Sequence, residues 1–362
     1  MHIQWINLSD FRNFRSLSYS PASTLNVVTG PNAQGKTNLL EALSLLLVGR
    51  SFRAAKPVDL LRWDAAGAIL TGQVCRGEVT RPIRRSVARR QDGVWAVMGE
   101  GCPWARAIPF GWQDVAVVGG GPQARRNFLD GFAGKIFPAH LPGLGRYRQI
   151  LARRNHLLQE GIEGGPGEAL IDPWDHQLAR EGIELLHRRR RALAELADEV
   201  SRLYPVLAGG GAVRLTYQGA IEEGVTEARF VEAIRARRRD EVRRGQTLVG
   251  PHRDDVAIEM DGRDMRSFGS RGQQRLMALV LRLAEAGPVE RAVGSSPVLL
   301  LDDALSELDA EVQRNVLRHV EASGQVFLTS AEGALPVRQA AWWEVRGGHV
   351  EDGSLQPVQG AA

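Results

Sequence analysis

Lysine is nearly missing from this chain of 362 residues: Lys36, Lys56 and Lys135 are the only three, so the positive charge is carried almost wholly by arginine. Such a skew fits arginine's two-pronged grip on phosphate and equally a GC-rich genome, and composition does not separate the two. Cysteine is as scarce, with only Cys75 and Cys102, and their spacing suits no metal. That excludes a disulfide framework and a cysteine-ligated zinc site, and the expected compartment is a reducing cytoplasm. No apolar run of about 18 residues and no signal-peptide pattern occur, so no membrane association is expected. What remains is a chain long enough for two domains, with a net charge of +4 that favours polyanionic partners.

The most specific string present is GPNAQGKT at residues 30–37. It fits G-x-x-x-x-G-K-[ST] with Gly30, Gly35, Lys36 and Thr37 in the required places; Pro31, Asn32, Ala33 and Gln34 fill the variable ones and Asn38 follows. Residues 25–29 (LNVVT) predict a buried strand before it, and residues 38–48 (NLLEALSLLLV) a mostly apolar helix after it. This is the order in which a loop turns successive N–H groups toward a polyphosphate at a helix N-terminus. Lys36 is the candidate for the β- and γ-phosphates of ATP, and the Thr37 hydroxyl for Mg²⁺.

Such a loop needs an acidic partner, and PVLLLDD at residues 297–303 supplies it. Val298 to Leu301 read as a strand buried on both faces, with Asp302 and Asp303 at its carboxyl end, where open α/β sheets bind ligands. Asp302 is assigned to the metal, and Asp303 to orienting or deprotonating the attacking water. A third string, SRGQQR at residues 270–275, leads into a helix expected to end at Gly287. Ser270, Gly272 and Gln273 form a second phosphate-binding device, and ALSELD follows the two acids at residues 304–309. In ATPases with this order of motifs the two devices do not share a nucleotide within one copy, so two copies close head to tail around two ATPs.

The chain resembles the RecF family of bacterial recombination mediators, whose ATPase heads are akin to those of SMC proteins. The resemblance runs nearly end to end, through LSDFRNFRSL (8–17), GRSFR (49–53), GPQARRNFLD (121–130), YRQILARRNHLLQ (147–159), WDHQL (174–178) and GPHRDD (250–255). It implies an ATP-dependent homodimer with weak, DNA-stimulated ATP hydrolysis. It also implies binding of double-stranded DNA and of single-strand/double-strand junctions, and action with RecO and RecR to place RecA at gaps covered by single-strand-binding protein. Some positions depart from related patterns. Asp303 stands where ABC transporters carry Glu, and residues 326–330 end in Thr329-Ser330 where those carry a His. Phe110 to Asp114 read FGWQD where the family usually reads FSPED, which leaves Gln113 either a metal or water contact or a surface-turn residue. Arg12 either approaches the nucleotide or is a strand-edge charge, and His252 is either functional or a hydrogen-bonded loop residue.

The expected fold is α/β: an ABC-type P-loop lobe with an antiparallel β subdomain, plus a helical second lobe forming a short arm. Alternation over about 55–100 predicts the antiparallel strands. Helices are expected at about 125–132, 146–160, 174–203 and 226–244, with breaks at 161–168 and 208–212 and a frayed tail after about 348. The longest would span about 45 Å. The corresponding segments are 1–112 and 247–362 for the ATPase lobe and 113–246 for the helical lobe. Candidate DNA patches are Arg81, Arg84, Arg85, Arg89 and Arg90, then Arg188 to Arg191, then 235–244, each alternatively a solvated face. Two other classes fit parts of the pattern: a DNA scaffold that ATP switches without hydrolysis, and a transporter ATPase subunit. The arm and the missing His argue against the latter.

Overall fold

The computed structural model describes residues 1–54, 56–160, 166–331 and 335–353. The chain opens with β1 (His2–Phe11), β2 (Phe14–Tyr19), β3 (Leu25–Thr29), α1 (Lys36–Val48), β4 (Ala68–Arg76), β5 (Val79–Arg89), β6 (Trp95–Met98) and β7 (Ala107–Phe110). A largely helical stretch follows: α2 (Val115–Gly119), α3 (Pro122–Ile136), α4 (His140–Gln159), α5 (Pro166–Ala208), β8 (Val213–Gln218), α6 (Glu227–Ala236), α7 (Arg238–Arg244), β9 (Asp255–Met260), β10 (Arg263–Asp264) and α8 (Met265–Phe268). The last part carries α9 (Arg271–Leu283), α10 (Ala286–Val293), β11 (Val298–Leu301), α11 (Ala310–Glu321), β12 (Val326–Thr329), β13 (Ala341–Arg346) and β14 (His349–Asp352).

Two compact units result. The first holds Met1–Asp114, Leu203–Gly210 and the chain from Arg271 on; the second holds Val115–Arg202 and Gly211–Ser270. In the first unit a six-stranded sheet runs β14-β13-β3-β12-β11-β7, and all its pairings are parallel except β13 with β14. A five-stranded antiparallel sheet runs β2-β1-β4-β5-β6. Helix α1 packs against strands of both sheets, which is why Leu39 to Leu47 are buried without a polar face. A helix with solvent on one side would keep a polar stripe; one enclosed by two sheets has no use for it. The three central strands are buried along nearly their whole length, as expected of a parallel sheet covered on both faces.

The second unit is built from α2 to α8 around a three-stranded sheet, β10-β9-β8. Its polar core centres on Arg154, fully buried, whose guanidinium reaches Asp175 at 2.8 Å, Glu241 at 2.6 Å and Thr247 at 2.7 Å. Arg238 closes on the other Asp175 oxygen.

The expected α/β architecture is present, and several details differ from expectation. Residues 247–270 lie in the second unit rather than with the ATPase lobe, because β9 pairs with β8 over six residues, Val213↔Met260 to Gln218↔Asp255. Strand β8 itself falls inside the stretch read as helical. The long helix begins at Pro166 and passes through Pro173, so its 43 residues exceed the expected start at Trp174 and its length is about 65 Å. Proline at the first turn of a helix is tolerated, because its missing N–H would be unpaired there in any case. Residues 161–165 of the expected break lie outside the described residues. The helix over 226–244 splits at Arg237 (φ −102°), which turns α7 so that Glu241 meets Arg154. The helix after Ser270 ends at Leu283, and a separate α10 follows. The tail is paired through Asp352, since β14 adds to β13; residues 354–362 lie outside the described residues.

Candidate functional site

The phosphate loop, the two acids after β11 and the Gln113 segment lie at carboxyl ends of parallel strands in the first unit. Strand β3 leads into residues 30–37, β11 into Asp302 and Asp303, β12 ends at Thr329, and β7 leads into Gly111 to Asp114. Two glycines are required by geometry. Gly30 has φ +132° and passes so close to β13 that a Cβ would sit 2.3 Å from the Val345 carbonyl oxygen. Gly35, with φ +116°, precedes α1, and a Cβ there would strike the Asn13 side chain at 2.5 Å. Ala33, between them, also takes a left-handed conformation, with φ +65°. Asn13 clasps the loop by donating to the Gln34 carbonyl at 2.8 Å, and it accepts from Asn38 at 2.7 Å. Gln34 accepts in turn from the Gly347 N–H at 2.8 Å.

Lys36 lies over this loop, its ammonium donating to the Gly30 carbonyl at 2.6 Å and the Pro31 carbonyl at 3.0 Å. Burial lowers its pKa, and the nearby Asp302 and Asp303 carboxylates act in the other direction. The Thr37 hydroxyl lies 2.8 and 3.0 Å from the two Asp302 oxygens. Thr329 completes the arrangement: its hydroxyl donates to Asp302 at 2.9 Å and accepts the Asp303 N–H at 2.8 Å. Burial raises the pKa of Asp302, while hydrogen bonds from Thr37 and Thr329 oppose the rise. Asp303, by contrast, is largely exposed.

A buried carboxylate organises the flank of this site. Glu41, one turn beyond Thr37 on α1, is 0% exposed. It accepts two bonds from Arg12 at 2.8 and 2.9 Å, one from Ser51 at 2.5 Å and one from Arg53 at 3.1 Å. Arg53 also donates to Asn38 at 2.7 Å. Arg12 and Arg53 then face outward and line a cleft of about 790 Å³ together with Trp63 and Trp95. Glu41, Ser51 and Arg53 were missed as site residues. The signal was there: a lone acid inside an apolar helix, four residues after the threonine of the loop.

Gln113 does not turn toward Thr37 or Asp302; its amide donates to the Phe52 carbonyl at 3.3 Å, beside Arg53. Its neighbour Asp114 is buried, accepting from the Gly111 N–H at 2.8 Å and from Arg282 of α9 at 2.6 Å. Gly272 and Gln273 lie in the first turn of α9, and Ser270 immediately precedes it.

The arginine patches are partly structural. Arg85 is buried and donates to the Gly99 carbonyl at 2.5 Å, whereas Arg81, Arg84, Arg89 and Arg90 are exposed. Arg189 is buried in a paired contact with Asp130 at 2.7 and 2.8 Å, and Arg190 and Arg191 lie over the rings of Tyr217 and Phe137. Within 235–244, Arg235 pairs with Asp172, and Arg238 with Asp175. Alternation on a strand and partners distant in sequence explain these corrections.

His252 has its ring held on both sides, by the Tyr147 hydroxyl at 2.7 Å and the Thr247 carbonyl at 3.1 Å. Burial pushes it down to about 4, so it is neutral, with Nε2 donating to the carbonyl and Nδ1 accepting from the tyrosine. The rest of GPHRDD is equally occupied, with Asp255 gripping Arg125 at 2.6 and 2.8 Å and Asp254 accepting from Tyr217 at 2.7 Å. The contacts of His252, Asp254 and Asp255 all fall within the second unit. Among the described residues, no helix is long and apolar enough to cross a membrane.

Known proteins show the same organisation. A family model described as an AAA domain matches residues 6–97. The DNA replication and repair protein RecF of Synechococcus sp. (strain JA-3-3Ab) is 36% identical over 94% of this chain and 94% of its own. The structure of the recombination mediator protein RecF-ATP in the RecFOR pathway superposes with a TM-score of 0.85, at 28% identity over 97% of each chain. The Smc head domain derived from Pyrococcus furiosus, at 16% identity and a TM-score of 0.54 over 97% of this chain and 95% of its own, shares the fold.

Proposed function

The chain belongs to the RecF family, and on that premise we propose that it is a DNA-binding ATPase, acting in recombinational repair and replication-gap processing, in which two copies close around two ATPs. The observation that carries this reading is the contact of Thr37 with both oxygens of Asp302 beside Lys36. It is supported by what relatives are named for, DNA replication and repair, and by a solved relative named with ATP.

Lys36 and the N–H groups of residues 32–38 would hold the β- and γ-phosphates, with the N-terminus of α1 adding its partial positive charge. Thr37 and Asp302 are two hard oxygen donors already in contact, which fits Mg²⁺. When bound, that ion would offset charge developing on the phosphates. Asp303 would orient the attacking water, Gln113 would assist after swinging away from Phe52, and Arg12 would reach the nucleotide from its seat on Glu41. Ser270, Gly272 and Gln273 of one copy would cover the triphosphate of the other. ATP then acts as interface material, since its γ-phosphate gains contacts only in the pair, and hydrolysis removes them. DNA would be held through phosphates, as duplex or at single-strand/double-strand junctions, with RecR and RecO acting alongside to give RecA access to gaps.

Mass in solution with ATP, ADP or neither tests the scheme, for wild type, Lys36→Arg and Ser270→Arg, with and without duplex DNA. Wild type is expected to pair only with ATP, and Ser270→Arg to bind ATP and remain single. A wild-type protein saturated with ATP yet solitary would refute it. Asp303→Asn separates enzyme from switched scaffold: turnover is expected to fall about 100-fold or more while ATP-dependent pairing persists. Wild type that pairs but never hydrolyses ATP, with DNA or without, would favour the scaffold.

A further inference from the structure

One arginine of the SRGQQR string faces inward. Arg275 is 7% exposed and stands in the second turn of α9. Its Nη2 donates to the Asp303 carbonyl and, at 2.7 Å, to the Ser306 hydroxyl. Ser306 in turn donates to Asp303 Oδ2 at 2.9 Å. Asp303 is therefore fixed at three points: its N–H by Thr329, its carbonyl by Arg275 and its carboxylate by Ser306. Its φ of +52° makes such restraint necessary, because a residue with a side chain stays in that region only where its surroundings over-determine it. The first turn of α9 rests on the same loop, since a Cβ on Gly272 would stand 3.6 Å from the Glu307 carbonyl oxygen.

We infer that Arg275 is a positioning residue linking the start of α9 to the hydrolytic carboxylate of its own protomer, so that engaging a partner's nucleotide through Gly272 and Gln273 sets the aim of Asp303. The link rests on the paired reading above. A helix is stiff over two turns, so a shift at Gly272 or Gln273 is carried to the guanidinium of Arg275, less than one turn on. The Ser306 hydroxyl has one proton, and accepting from Arg275 directs that proton to Asp303. Each protomer's α9 reads one nucleotide and adjusts the acid acting on the other. The two sites of a pair are thereby made to fire together.

The test compares Arg275→Ala, Arg275→Lys and Ser306→Ala with wild type. Three quantities are read: mass with ATP, single-turnover hydrolysis of bound ATP, and steady-state rate against ATP concentration. Arg275→Ala and Ser306→Ala are expected to pair with ATP and keep KM within about twofold, yet lose about tenfold or more in kcat. Arg275→Lys restores part of the rate, and the Arg275→Ala, Ser306→Ala double variant loses no more than the worse single one, because both lie on one chain of contacts. The Hill coefficient is expected to fall from about 2 toward about 1. A wild-type kcat in either alanine variant, or an unchanged Hill coefficient at reduced kcat, overturns the inference. So does loss of pairing in Ser306→Ala, which deletes one hydroxyl and decides the matter if Arg275→Ala fails to fold. If wild type itself stays single when saturated, the paired reading and the link to a partner fail together. The single-turnover rates then still report whether Arg275 positions Asp303.

Discussion

Two carboxylate–arginine clusters, one in each unit, use the same chemistry to opposite ends. In the second unit Arg154, Asp175 and Glu241 are each 0% exposed, and the guanidinium is bound on Nε and both Nη atoms. In the first unit Glu41 is as deeply buried, but its arginines are not: the side chains of Arg12 and Arg53 remain 19% and 35% exposed and line a cleft. A closed cluster holds helices together; one that is half open holds cations ready for something else. Spare donor capacity beside a phosphate loop, rather than charge itself, distinguishes the site from the scaffold.

The sharpest way to break this contrast is Arg154→Ala. Glu241 would lose its buried counter-ion and Asp175 would keep only Arg238, and the second unit is expected to lose about 3–5 kcal/mol in urea unfolding. ATP should change that loss little. His252 gives the next effect, in the same unit. Its folded pKa of about 4 lies below the unfolded value near 6.5, so only the unfolded chain takes up a proton between them. Stability should be constant above about pH 6.5, fall by up to about 3 kcal/mol on acidification toward pH 4, and lose this slope in His252→Gln. At the open cluster, Arg12→Ala is expected to cost about 1–3 kcal/mol, because Arg53 and Ser51 still serve Glu41. Its distinguishing mark is a smaller rise in melting temperature on adding ATP than wild type shows. Arg53→Ala should be mildest in stability, below about 1 kcal/mol, because Arg12 and Ser51 still serve Glu41 and Arg53 makes the longest of its contacts, at 3.1 Å. An Arg12→Ala protein stabilised by ATP as fully as wild type would erase the distinction between the clusters.

What could be read from the chain was local. The loop at 30–37, the acids after β11 and the flanking apolar runs are sets of neighbours in sequence; the runs form β3, α1 and β11, and the loop and the acids follow the two strands. What escaped depends on distant partners. Arg189 looked like one of four surface arginines until Asp130, 59 residues away, took it inside. Arg275 looked like part of a phosphate motif, while its guanidinium serves Asp303 and Ser306, 28 and 31 residues on. Strand β8 went unseen because its partner β9 follows two helices later, and its own alternation, VRLTYQ, is short. Buried arginine carries no periodic signature, since each case is decided by which carboxylate or carbonyl the fold brings near.

Gly30 against Val345, and Gln34 against Gly347, have a consequence for synthesis. The cradle laid down among the first forty residues is braced by main chain some 313 positions later. At about 5–20 residues per second, a ribosome needs roughly 15–60 s to supply that brace. Until then the loop lacks its wall, and a nascent chain gains no shelter from ATP, however abundant the nucleotide.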